Sequence, residues 1–146
     1  MKKYLLILIL WLIPFFNLMA QNFVTNGDFD TYTIAPTTYA QVCYATGWES
    51  PNNLCSLNPG NGSPDYYNIN GLGGAKPPTT WWANVSPHSG TGFEGFACYY
   101  SGANYREYIQ RPLSGPLTPG VTYQVSFWVT NGISTLHYWG VKELGL

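Results

Sequence analysis

The stretch from Val121 to Thr130 restricts the fold of this chain more than any other. Val121, Tyr123, Val125, Phe127 and Val129 alternate with Thr122, Gln124, Ser126, Trp128 and Thr130. A repeat of two puts the β-branched and aromatic residues on one side of a strand and the mostly polar ones on the other. The run before it alternates less cleanly, with Tyr105, Glu107 and Ile109 set against Arg106, Tyr108 and Gln110. Pro112, Gly115, Pro116, Pro119 and Gly120 join the two runs. Prolines remove backbone donors and glycines loosen the chain, so this link is a turn-rich loop and not a helix.

The rest of the chain repeats this grammar. Phe23 to Thr33 reads as strand, Asn26-Gly27 turn, strand, because both turn residues tolerate positive φ. Residues 52–63 are rich in Asn, Gly, Pro and Ser and form a surface loop, as does Gly71 to Pro78. Asp65-Tyr66-Tyr67-Asn68 is a compact aromatic patch, and Trp81-Trp82 follows the second loop. Phe93 to Tyr100 is another strand candidate, and Tyr138 begins a last one that stops at Leu146. Beyond the N-terminal segment no helical stripe is sustained. Short strands separated by turn residues predict an all-β, antiparallel sandwich of one domain. Roughly six strand candidates, against about eight in a jelly roll, together with the abrupt C-terminus, give the expectation of a chain truncated at that end.

Lys2 and Lys3 followed by the apolar run Tyr4 to Phe16 have the form of a signal peptide, with cleavage expected after Ala20. That run falls short of the about 20 apolar residues of a membrane span. The expected division is residues 1–20 as signal peptide and residues 21–146 as the β-sandwich module. Loss of the two lysines moves the formal charge from −1 to −3. Without a basic tract, nucleic acid is excluded as a natural partner. Charged residues make up only 9% of the chain and aromatics 17%, which argues against disorder and for a polar-aromatic β surface.

Export makes disulfides permissible. Cys43, Cys55 and Cys98 allow one bridge with three pairings. Cys43–Cys55, which closes a short loop, is the favoured one, leaving Cys98 as a small apolar residue in a strand. No Cys/His spacing suits zinc. His88 and His137 are the only histidines, and His88 in Pro-His-Ser-Gly reads as a turn residue. No nucleophile elbow is present. A glycosidase would need two carboxylates facing a cleft, and Glu107 beside Arg106 is more simply structural. No catalytic residue is therefore assigned. Calcium is the one metal considered: Asp28 and Asp30 share a face if extended, beside Asn26, and hard cations take such oxygen ligands.

Aromatic surfaces carry the functional expectation. Flat C–H faces of sugar rings stack on Trp and Tyr, and polar neighbours fix their orientation. The expected ligand-binding residues are Trp81, Trp82, Tyr66 and Tyr67, in or beside loops, with Trp128 and Gln124 on the polar face of the last full strand. The bland alternative is that Trp48 and Trp139 cover the sandwich ends, that one of Trp81 and Trp82 is buried, and that Trp128 packs under a loop.

In order along the chain, NGDFD (26–30), ATGW (45–48), SPDYYN (63–68), PHSG (87–90), YREYIQRPLSGPLTPGVTYQVSFWV (105–129) and GVKELGL (140–146) resemble a family of exported Bacteroidetes proteins. In that family a jelly-roll module, similar to galactose-binding and carbohydrate-binding-module sandwiches, precedes OmpA-like domains or gliding-motility and type IX secretion signals. The resemblance implies a jelly roll and a place at the cell surface, at the outer membrane or outside the cell. It brings no reaction. The Cys-Pro and second Cys usual in the family are replaced here by Ala35-Pro36 and Asn70-Gly71, so its disulfide does not carry over. The resulting expectation is a non-catalytic exported binding module with a polysaccharide or glycan as partner. A structural or adhesion module of a cell-envelope protein and an accessory part of a glycoside hydrolase are the alternatives.

Overall fold

A computed structural model describes residues 21–51, 64–98 and 106–132. The expected signal peptide, Cys55, Tyr105, His137, Trp139 and the strand expected from Tyr138 lie outside the described residues.

Among the described residues there is no α-helix, and the regular structure is a small antiparallel sheet. Strand β1 is Asp65–Asn68 and strand β2 is Gly92–Gly95, paired Asp65 to Gly95, Tyr66 to Glu94, Tyr67 to Phe93 and Asn68 to Gly92. The chain is thus mostly β in character. Adjacent tyrosines favour a strand because their bulk packs well on a pleated surface. Tyr67 stacks across the ladder on Phe93, with ring centroids 5.0 Å apart and an interplanar angle of 22°. The other face of β1 is polar and buried. Tyr66 donates its hydroxyl hydrogen to the Phe29 carbonyl at 2.8 Å. Asn68 Nδ2 donates to the Tyr66 hydroxyl at 2.9 Å and to Thr91 Oγ1 at 3.2 Å, and its Oδ1 accepts from the Asn70 N–H at 3.0 Å. Gly92 must be glycine at this close approach, because a Cβ there would run into the Phe29 carbonyl oxygen.

The core is small. Val42, Ala45, Tyr66, Tyr67, Ala75 and Ala83 are its buried apolar members, joined by Pro36 and Pro64. A 3₁₀ turn at Val42–Tyr44 presses Val42 against β1, with the Val42 N–H bonded to the Pro64 carbonyl at 3.1 Å. A second 3₁₀ turn at Gly73–Ala75 buries Ala75. Elsewhere segments meet at single antiparallel bridges, Tyr32 to Ala45, Glu49 to Gln110 and Thr79 to Asn84.

Three expectations change. Phe23 to Thr33 is a run of turns and not a hairpin. Its positive φ values fall on Asn26 (48°) and Phe29 (59°), and the Asn26 side chain closes the loop by bonding both the N–H and the carbonyl of Thr31 at 2.9 Å. Of the run ending at Gln110, that residue pairs with Glu49 by two backbone bonds of 3.0 and 2.8 Å. From Val121 to Thr130 no ladder forms among the described residues. Val125 and Val129 are 63% and 61% exposed, because no described segment lies over that face. Tyr123 is anchored at the near end of the run. Its ring meets Phe23 edge-on at 5.6 Å, and its hydroxyl accepts from the Thr118 N–H at 2.8 Å.

Cys43 is disulfide-bonded and Cys98 is a free, half-buried thiol, pushed upward in pKa by burial. The partner expected for Cys43, Cys55, is outside the described residues.

Asn68 joins β1 to Thr91 and to the Phe29 turn, so Asn68→Ala should lower unfolding stability by about 1–3 kcal/mol, the range for stranding buried polar partners. Asn70→Ala, at an exposed position, should stay within about 0.5 kcal/mol of wild type. Urea unfolding followed by tryptophan fluorescence checks both.

Candidate functional site

Residues 78–85 form a tight two-stranded turn with Trp81 and Trp82 at its tip. Thr80 closes it: its N–H and Oγ1 both donate to the Ala83 carbonyl, at 3.0 and 2.8 Å, and Oγ1 accepts from the Ala83 N–H at 3.1 Å. The Val85 N–H reaches the Pro78 carbonyl at 2.9 Å. The Pro77-Pro78 peptide at its entrance is cis. The two tryptophans then part company. Trp81 folds back over Gly74, its N–H bonded to the Gly74 carbonyl at 3.2 Å, and a Cβ on Gly74 would overlap the indole. Tyr39 meets the same ring edge-on at 6.2 Å. Trp82 turns toward the sheet and donates Nε1–H to Asp65 Oδ2 at 2.7 Å.

Beside Trp81 lies an open groove of about 480 Å³, lined by Gly73, Gly74, Lys76, Thr79, Thr80 and Trp81 with the two prolines. Trp81 is 40% exposed, and Lys76 and Thr79 are exposed as well. The arrangement is an indole fixed from behind by a glycine and a tyrosine edge, with an ammonium group and a hydroxyl at its rim.

The other expected site residues fall as follows. Tyr66 and Tyr67 are buried in β1, with hydroxyls bonded to the Phe29 carbonyl and to Asp65 Oδ2, so they offer no ring face to a ligand. Burial raises the pKa of both phenols. Trp128 and Gln124 are exposed, and the Trp128 ring lies on His88. Asp30 Oδ1 accepts from the N–H and Oγ1 of Thr91 at 2.5 and 3.0 Å, and Asp28 Oδ1 is 3.4 Å from the Asp30 N–H. Among the described residues no three His, Cys, Asp or Glu side chains gather as a metal-holding group. Trp48 is half-buried, its ring tilted against Phe29 at 4.7 Å, with Arg111 over its ring at 5.5 Å. Tyr39, Lys76 and Thr79 were not among the expected residues. The Pro77-Pro78 break preceding Trp81-Trp82 was their only local signal.

Asp65, Glu94 and Glu107 lie near enough to act on one another. Asp65 accepts from the Ala40 N–H at 2.6 Å and from Tyr67 and Trp82, yet desolvation outweighs these bonds and raises its pKa. Glu94 is more extreme. Both its carboxylate oxygens are buried without a hydrogen-bond partner. Desolvation first, then the charges of Asp65 and Glu107, push its pKa well above 4.5. Glu107 itself is held at Ala97, whose N–H it accepts at 2.5 Å.

No family model, curated protein or solved structure matches the chain.

A carboxyl whose folded pKa is raised holds its proton longer when folded than when unfolded. Its stabilising contribution is complete below the unfolded value and is lost as pH rises toward the folded one. The melting temperature should therefore fall as pH is raised above about 4.5, and Glu94→Gln should flatten that fall. Thermal scans from pH 4 to pH 9, run at about one-unit steps, check this. An equal slope in the variant would assign the effect to other groups.

Proposed function

We propose that this chain is a non-catalytic, exported carbohydrate-binding module with a jelly-roll-type sandwich as its architecture. The observation that carries the reading is the Trp81 groove: an exposed indole locked in orientation, with Lys76 and Thr79 at its edge. Sugars present an apolar C–H face ringed by hydroxyls, and they are bound by a rigid aromatic surface with a few hydrogen-bonding groups beside it. Rigidity matters because each side chain that must be ordered on binding costs affinity. The low charge of the chain suits a neutral polysaccharide better than a polyanion. The likeness of the ordered motifs to exported envelope proteins supports the same reading, with the module at the cell surface or outside it.

The test is a glycan array followed by titration of intrinsic tryptophan fluorescence. Binding should appear for a neutral glycan, and Trp81→Ala should weaken it at least tenfold, or about 1.4 kcal/mol. Gly74→Ala, which displaces the indole from its seat, should weaken it in the same direction. Leu117→Ala, exposed and outside the groove, should bind as wild type does. Absence of any captured glycan, or undiminished binding by Trp81→Ala, would overturn the proposal.

A further inference from the structure

We propose that Trp128, held flat by His88, is a second stacking subsite, so that the module takes a glycan chain of several units and not a mono- or disaccharide; this rests on the carbohydrate reading of the Trp81 groove. Trp128 is 80% exposed, the most exposed of the large apolar side chains among the described residues. Such an indole would ordinarily wander among rotamers. Here it lies on the His88 imidazole with ring centroids 3.9 Å apart and an interplanar angle of 12°. One face is thus occupied by a flat support and the opposite face is open to solvent. An aromatic ring already held in place loses little freedom when a sugar settles on it.

The segment that carries this ring comes up against the turn of the first site. Gly132 lies against Ala83, close enough that a Cβ on Gly132 would stand 3.3 Å from the alanine methyl. Ala83 is the residue that Thr80 locks in place at the base of the Trp81-Trp82 turn. His88 follows the same turn by a few residues, after Val85 has closed on Pro78. The segments that carry the two rings therefore meet at Ala83, with the first ring backed by Gly74 and the second by His88. Two sites on adjoining segments add their contributions only for a ligand long enough to reach both, because the second contact is then intramolecular. Uncharged Gln124, Ser126 and Thr130 flank Trp128 in sequence and suit hydroxyl partners. His88 acts as a positioning residue and needs no contact with the ligand.

The experiment uses β-1,3- and β-1,4-linked gluco-oligosaccharides, each as a dimer and as a hexamer, with affinities measured by calorimetry on the wild-type chain and its variants. The hexamer of the bound linkage should bind at least tenfold more tightly than its dimer. Trp128→Ala should reduce hexamer affinity to the level of the dimer. His88→Ala should reduce it in the same direction, and His88→Phe, which keeps a flat ring under the indole, should restore it. Exposed Leu113→Ala should change nothing. Trp128→Ala binding the hexamer as wild type does, while Trp81→Ala does not, would overturn the second subsite and leave the first reading in place. Loss with Trp128→Ala but none with His88→Ala would overturn the positioning role. Equal wild-type affinity for hexamer and dimer, or binding to none of these glucans, would overturn the second subsite, whereas the Trp81 reading falls only if no neutral glycan is captured at all.

Discussion

The buried side-chain amide of Asn68 holds more of this structure together than any apolar contact. It sits fully out of water, where an unsatisfied amide is costly, and its bonds reach Tyr66, Thr91 and Asn70. Through Tyr66 it fixes the Phe29 carbonyl, and through Thr91 it fixes Asp30. The turn at 26–31, the strand β1 and the approach to β2 are thereby joined by one polar network. A core built of Val42, three alanines and two tyrosines has little apolar area to bury, and area sets the hydrophobic contribution. Bonds that would be desolvated and unpaired in any other arrangement supply the specificity instead.

The same logic reaches the groove. Trp82 is bonded to Asp65, and Asp65 is bonded to Ala40 and Tyr67, so the turn that displays Trp81 is fastened to the sheet by a carboxylate. That carboxylate lies near Glu94 and Glu107. A neutral Glu94 is compatible with this gathering of acids, whereas an ionised one has no bond to compensate its burial. The bonds of Asp65 thus tie the turn that displays Trp81 to the strand beside Glu94.

Much of this was legible in the sequence at the level of composition and turns. The absence of helix among the described residues, a strand near Phe93 and the loop position of Trp81-Trp82 follow from local pattern, whereas Asp65–Asn68 reads in sequence only as a compact aromatic patch. What failed did so for identifiable reasons. Tyr66 and Tyr67 sit between two loops in sequence, and local pattern cannot tell that the segment at 36–45 wraps them. Asn26-Gly27 signals a tight turn, but the Asn26 side chain closes a wider one on Thr31. The alternation at 121–130 specifies two faces without saying what covers either. His88 and Trp128 are far apart in sequence, as are Glu94 and Asp65, and pairings of that kind are a product of tertiary structure.

The described tryptophans finally divide by what their ring nitrogens do. Trp48 gives its N–H to the Asn26 carbonyl at 2.8 Å, and Trp82 gives its N–H to Asp65. Both rings are used by the fold, one under Arg111 and the other against the sheet. Among the described residues Trp81 and Trp128 donate to no protein acceptor, and both are exposed. A buried indole needs a partner for its N–H, whereas an outward one keeps its donor for water or a ligand. Each of these two is nonetheless fixed by a ring contact, Trp81 by Tyr39 and Trp128 by His88. Orientation without a spent donor separates them from tryptophans that serve only packing, and it leaves both a flat face and a hydrogen-bonding edge available at each position.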